Sequence, residues 1–208
     1  MKKLFSIITF IAVAAVSIAQ TPDEIVSRME ADLAKHDISE GFAMTLDFKM
    51  IILGTVSSRV YTLGDKMRME GTVKDNEIIT WKDGFTEWNY DKSKNEIEIT
   101  NVESKTKSDS DDNMKLFSGV TEGYDVKIDK ETPTEWQLRC KRSKSNPDKD
   151  APKKMDLVVK KDTYWPVSLT ASLKGVTMTM REISYGVTEE QVTFNAKEFP
   201  GVTIVDKR

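Results

Sequence analysis

From Phe42 onward, outside the turns, the charged loop 141–154 and the Ser-, Lys- and Asp-rich stretch 101–113 that reads as an exposed loop, apolar residues recur at every second position, and this alternation is the strongest constraint on the fold. Phe42, Met44, Leu46, Phe48, Met50 and Ile52 alternate with Ala43, Thr45, Asp47 and Lys49. Successive side chains of a strand point to opposite faces, so such a segment presents one apolar face and one polar face. A strand this long, at roughly 3.3 Å per residue, must coil or bend in a globular sheet. The pattern therefore predicts a strongly coiled sheet or partial barrel. It recurs in Met67, Met69 and Val73; Trp88 and Tyr90; Ile97 and Ile99; Tyr124, Val126 and Ile128; Trp136, Leu138 and Cys140. Met155, Leu157 and Val159 follow, then Val167, Leu169, Ala171 and Leu173, then Val176, Met178 and Met180. That makes about ten strands joined by short turns, which predicts an antiparallel order. Ile183 and Tyr185 fall on the other parity and predict a β-bulge. Phe194, Phe199, Val202 and Ile204 close the chain.

The densest aromatic stretch is Trp81-Lys82-Asp83-Gly84-Phe85-Thr86-Glu87-Trp88-Asn89-Tyr90-Asp91. Asp83-Gly84 is a hairpin signal between apolar runs. Trp88 and Tyr90, two apart, share a face. One clear helix precedes the strands. Thr21 caps it, Pro22 suits its first position, and Glu24 completes a capping box. Ile25, Val26, Met29 and Leu33 then fall on one helical face up to about His36. A second helical turn is expected at Met114, Leu116 and Phe117, after acidic residues that suit the positive end of the dipole.

The N-terminus reads as a cleavable secretory signal over residues 1–19. Lys2 and Lys3 precede the apolar run from Leu4 to Val16, and Ser17-Ile18-Ala19 supplies the small residues a signal peptidase reads. The exported domain is then residues 20–208, and loss of Lys2 and Lys3 takes the net charge from −3 to −5. No basic excess points to nucleic acid.

The chain has one histidine and one cysteine, so it lacks a Ser-His-Asp set and a His/Cys metal cluster. His36 is expected at a solvated helix end and Cys140 as a buried structural thiol. Asp109, Asp111 and Asp112 lack the spacing of a calcium loop and read as a helix cap. The basic residues between Lys141 and Lys154 are interleaved with Asp148 and Asp150 and read as a solvated loop. No enzyme, cofactor or metal is expected. The apolar parity is rich in methionine and aromatics, which is compatible with a dry core or with a groove that accepts varied apolar ligands.

Two motifs resemble the periplasmic outer-membrane lipoprotein carrier (LolA) family. Asp83-Gly84-Phe85-Thr86-Glu87-Trp88-Asn89-Tyr90-Asp91 is similar to its D-G-x-x-x-W-x-Y-[DN] hairpin. Val192-Thr193-Phe194 and the tail from Pro200 to Arg208 are similar to its F-x-F and P-x-G-V-x-V-x-D-Q-R segments. Phe42-Ala43-Met44-Thr45-Leu46 is similar to its first strand. The resemblance implies a mainly β fold, an incomplete, half-open antiparallel β-barrel with short helices as a lid. It implies that acyl chains of lipoproteins lie in the concavity, against Phe42, Met44, Leu46, Phe48, Met67, Met69, Trp88, Tyr90, Ile97 and Ile99. The lid would carry Ile25, Met29, Leu33, Met114 and Phe117. The implied partners are an inner-membrane ABC-type lipoprotein-releasing transporter and an outer-membrane receptor, served by a periplasmic monomer. A lipid-binding or envelope-stress sensor module on the same half-barrel is the alternative. The family's lid-latching Arg has no counterpart near Leu63, so the latch is either missing or rebuilt from Arg59 or from Arg68, which lies on the polar parity.

Overall fold

The computed structural model describes residues 20–36, 38–50, 54–102 and 119–208. The signal segment, the Asp109–Asp112 cluster, Met114 and Phe117 lie outside the described residues.

The chain opens with helix α1 (Pro22–Leu33), followed by strands β1 (Phe42–Met50), β2 (Gly54–Leu63), β3 (Lys66–Val73), β4 (Asn76–Lys82), β5 (Thr86–Asp91) and β6 (Glu96–Asn101). Then come β7 (Tyr124–Glu131), β8 (Glu135–Arg142), β9 (Lys154–Lys160), β10 (Pro166–Leu173) and β11 (Val176–Tyr185). A short helix α2 (Glu189–Val192) and strand β12 (Thr203–Asp206) end the chain. All twelve strands form one sheet in the order β12-β6-β5-β4-β3-β2-β1-β11-β10-β9-β8-β7. Its two edges, β12 and β7, do not pair, so the barrel is incomplete, as the alternation and the resemblance predict. β12 is the exception to the antiparallel expectation: it runs parallel to β6, with Ile204 beside Ile97.

Local chemistry explains the elements. The α1 capping box forms as predicted, with the Thr21 hydroxyl accepting from Glu24 N–H and the Glu24 carboxylate accepting from Thr21 N–H. The helix ends three residues short of His36, where Ala34 N–H still reaches Glu30 O. The β3–β4 turn is the pair Lys74-Asp75, both at positive φ (49° and 66°), as a type I′ turn requires. At the aromatic hairpin the loop is shifted by one residue. Asp83 N–H donates to Thr86 O, so the two loop residues are Gly84 and Phe85 rather than Asp83 and Gly84. Gly84 takes φ 88°, and a Cβ there would meet the Asp65 carboxylate at 2.8 Å. The predicted bulge lies where Ala43 and Thr45 of β1 face β11, with Glu182 at φ 55°. The extra residue turns both Met180 and Ile183 into the same core.

That core lies under α1. Ile25 and Met29 of the helix are fully buried, with Leu33 packed at the margin. They face Trp136, Leu138 and Cys140 of β8, Met155, Leu157 and Val159 of β9, and Leu169 of β10. Cys140 is fully buried, and burial pushes its thiol pKa up to about 11, as suits a structural cysteine.

Candidate functional site

Directly paired residues of an antiparallel sheet share a face, so the registers show which side chains line up. One row runs Met44, Val60, Met69, Thr80, Asn89, Glu98. The next row, on the opposite face, runs Ala43, Tyr61, Arg68, Trp81, Trp88, Ile99. Helix α1 packs on the face of Met44 and Val60, called the concave face, and α2 packs on the opposite, convex face against β2 and β3.

Phe42, Met44, Leu46, Met67 and Met69 therefore lie together on the concave face, all within or against the core under α1. Phe48 shares their side, opposite Met178 of β11. Met44 is buried, whereas Phe42, Leu46, Phe48, Met67 and Met69 are only half-buried. Trp88, Tyr90, Ile97 and Ile99 stand on the other face. The expectation of one continuous apolar wall across the sheet is corrected here: the apolar stripe changes faces between β3 and β4. With the two-residue turn Lys74-Asp75, Val73 pairs with Asn76, which sets Met69 opposite Thr80 and Arg68 opposite Trp81. Counting back from that turn in the sequence is the signal that exposes the change.

The convex aromatic patch is covered by the C-terminal segment. Trp81, 1% exposed, meets the edges of Phe194 at 5.4 Å and Phe199 at 5.5 Å. Trp88 stacks on Phe194 at 5.4 Å, and Tyr90 packs on Phe199 at 4.9 Å. Val187 and Val192 pack beside Ala43, Tyr61 and Leu63. The two motifs that carry the family resemblance thus meet each other as halves of one contact. The same segment then returns to lay β12 along β6, the one parallel pairing among the described residues.

On the concave face of β4 and β5 the surface becomes polar. Thr80 Oγ1 donates to Asn89 Oδ1 at 2.7 Å, and Asn89 Nδ2 donates to Glu87 Oε1 at 2.7 Å. Lys82 Nζ lies 2.6 Å from Glu87 Oε2. Burial acts to raise the Glu87 pKa, but the hydrogen bonds from Lys82 and Asn89 outweigh it and hold the carboxyl below its ordinary value. The concavity is thus graded: a dry core under α1 at β7–β10, a half-covered apolar wall at β1–β3, and a charged strip at β4–β5.

The helix is tied down at both ends. Arg28 Nη1 and Gln20 Nε2 donate to the Tyr164 hydroxyl at 2.8 and 2.6 Å, and the Arg28 guanidinium stands 5.1 Å from the centroid of the same ring. Tyr164, at φ 56° in the β9–β10 turn, stacks on Trp136 at 5.5 Å. His36 is not simply solvated. It stacks on Tyr185 at 4.3 Å and meets the edge of Trp165 at 5.4 Å. Arg59 and Arg68 both stand on the convex face. Arg59 donates to Glu182 O at 2.9 Å, and Arg68 lies 5.3 Å from the Trp81 ring centroid. The cation bonded to Tyr164 is on the helix itself, and its acceptor is in the β9–β10 turn. Nothing in strand alternation marks Tyr164, because it lies in a turn. Among the described residues no group of three or more His, Cys, Asp or Glu is arranged to hold a metal.

No family model and no curated protein sequence matches the chain. Its structural neighbours include a LolA superfamily protein. That protein, from Nitrosomonas europaea, is 9% identical over 86% of this chain and 100% of its own, with a TM-score of 0.33. LprF from Mycobacterium bovis is 9% identical over 81% of this chain and 96% of its own, with a TM-score of 0.47. MucB, solved in complex with MucA(peri), is 12% identical over 85% of this chain and 60% of its own, with a TM-score of 0.39. These likenesses are loose, and the faces and edges described above come from this chain's own registers.

Proposed function

We propose that the protein is an exported carrier that holds lipoprotein acyl chains against the concave wall of β1–β3 and passes them from inner to outer membrane. The observation that carries this reading is the half-buried apolar wall of Phe42, Leu46, Phe48, Met67 and Met69 beside one helix. Each methylene laid on such a wall contributes about 0.8 kcal/mol before the costs of association. Methionines adapt to chains of different shape. The strip of Lys82, Glu87 and Asn89 suits the polar end of the cargo. Helix α1 is the lid, and chains enter as it lifts from the rim at Tyr164 and Tyr185. The secretory signal read over residues 1–19 supports a periplasmic location for this work. A releasing transporter in the inner membrane and an acceptor in the outer membrane are the partners this role requires. The work is binding and transfer, with no bond made or broken.

Native mass spectrometry of the chain from Gln20, purified from envelope extracts, is expected to show bound lipid or lipoprotein. Leu46→Asp is expected to reduce binding of a fluorescent fatty acid at least about tenfold, because it puts a carboxylate on the wall. A lipid-free protein that binds no fatty acid probe overturns the reading.

A further inference from the structure

The β8–β9 loop and the β10–β11 hairpin meet at one rim of the sheet and enclose a cleft of about 400 Å³. Arg142, Lys149, Lys153 and Lys174 line it, with Asp150 as the one carboxylate, and Ala151, Ser172 and Leu173 complete the walls. This is a local reversal of sign in a chain whose net charge is −3. In sequence the cations are interleaved with Asp148 and Asp150; in the fold they converge.

The cleft is built on a well-anchored loop. Arg142 Nη1 donates to Lys149 O at 2.5 Å and Ala151 O at 2.8 Å. Asn146, only 6% exposed, donates to Gly123 O at 3.1 Å and accepts from Asp148 N–H at 2.9 Å. Across the cleft, Lys174 and Gly175 form a turn with both φ positive (48° and 87°) and hold Leu173 directly opposite Val176. The contact between Lys174 and Asp150 is loose, at 3.6 Å with both side chains largely exposed, so it neutralises little.

Beside these cations stand two of the exposed large apolar side chains, Leu173 (44%) and Val176 (36%). They end the concave apolar face, since the pairs Leu169–Met180, Ala171–Met178 and Leu173–Val176 step outward along it. Met50 of β1 pairs with Val176 as well. The rim thus joins an apolar lip, continuous with the wall, to a basic cleft. Phe85, the most exposed large apolar side chain among the described residues, stands near Lys82 and Lys66, which are paired with Glu87 and Glu189.

The geometry points to this rim as the surface that docks the protein on an anionic lipid bilayer. Arg142, Lys149, Lys153 and Lys174 take lipid phosphates, and Leu173 and Val176 enter the boundary between headgroups and acyl chains. Charge complementarity selects the bilayer, and the paired apolar tip gives it depth, as in other interfacial segments that join basic and apolar residues. Docking here seats on the bilayer the rim opposite Tyr164 and Tyr185, where β10 and β11 turn at Leu173 and Val176, which goes beyond acyl binding itself.

The test is flotation of the chain from Gln20 with vesicles of phosphatidylcholine alone, or with roughly one third phosphatidylglycerol. Binding is expected to be roughly tenfold tighter to the anionic vesicles and to be lost near 0.5 M salt, where screening is strong. The double variant K153E/K174E is expected to lose at least about thirtyfold in anionic-vesicle binding, the loss from two lysine contacts at the surface. Its binding of a fluorescent fatty acid in vesicle-free solution stays unchanged, so failure of docking is distinguishable from failure of the carrier reading. L173S/V176S weakens vesicle binding while the salt dependence remains. Equal affinity for both vesicle types, or a K153E/K174E variant that binds like the parent, overturns the inference. Retention on soluble polyglutamate with no vesicle binding overturns it in favour of an acidic protein partner.

Discussion

Truncating Trp81 to Ala tests the assignment of faces, because Trp81 and Met69 are neighbours in the sheet but on opposite sides. Trp81 is 1% exposed and is held between Phe194, Phe199 and the Arg68 guanidinium at 5.3–5.5 Å. A buried tryptophan removes roughly 200 Å² from water, which at ~25 cal/mol per Å² gives about 5 kcal/mol as an upper figure. Measured Trp→Ala costs in cores run about 3–5 kcal/mol, in agreement. For a domain of this size each kcal/mol lowers Tm by about 2–4 °C, so a fall of roughly 6–20 °C is expected. Thermal melts followed by far-UV circular dichroism measure it. The second arm is a fluorescent fatty acid titrated well below the variant's Tm. Its Kd is expected to stay within about twofold of the parent, since a side chain on the convex face adds no apolar area to the concave wall. Met69→Ala is expected to do the reverse: a smaller loss of stability, because Met69 is only half-buried, and weaker probe binding. A Trp81→Ala protein that keeps its Tm and loses probe binding would refute the assignment and put the ligand on the convex face.

Three further outcomes are expected. Tyr164→Phe removes the acceptor of both the Arg28 and Gln20 hydrogen bonds but keeps the ring on Trp136; amide exchange across residues 22–33 should rise about five- to tenfold, for a loss of about 1 kcal/mol, and unchanged exchange would show that the helix is not held there. Cys140, buried and with its pKa pushed up to about 11, should resist Ellman's reagent at pH 8 until the protein unfolds; its raised pKa contributes stability that is full below about pH 9 and is lost as pH rises towards 11, and rapid native-state labelling would contradict the burial. Asp47, hydrogen-bonded by Arg181 and Ser57, has its pKa lowered, so its contribution is present above the ordinary carboxylate range and is lost as pH falls through the folded value; Asp47→Asn should flatten the fall in Tm between about pH 6 and pH 3, and an unchanged slope would place the acid sensitivity elsewhere.

The resemblance motifs take on a specific meaning in the fold. The D-G-x-x-x-W-x-Y hairpin and the aromatic tail look, in sequence, like parts of a ligand pocket. In the structure Trp88 stacks on Phe194 and Tyr90 on Phe199, on the side of the sheet away from the helix. They fasten the C-terminal segment across the back, ahead of β12, which pairs with β6. The expected lining residues from β1 and β3 share the concave face, and those from β5 and β6 do not.

Local signals wrote much of this protein directly. Period-two alternation specified the strands and an apolar side for each one, because a pleated strand separates its side chains by parity. The capping box specified where α1 begins, because Thr21 and Glu24 satisfy backbone donors within one turn. The parity change at Ile183 specified a bulge, and the isolated Cys140 specified a buried thiol. What alternation within a strand cannot state is which side faces inward, since both choices satisfy the same pattern. That depends on register across each turn, where a single residue exchanges the faces. Only the assembled sheet placed Trp81 behind Met69, brought Arg28 to a turn tyrosine far along the chain, and gathered Arg142, Lys149, Lys153 and Lys174 at one rim. These contacts join residues distant in sequence, and their partners are chosen by the curvature and pairing of the whole sheet.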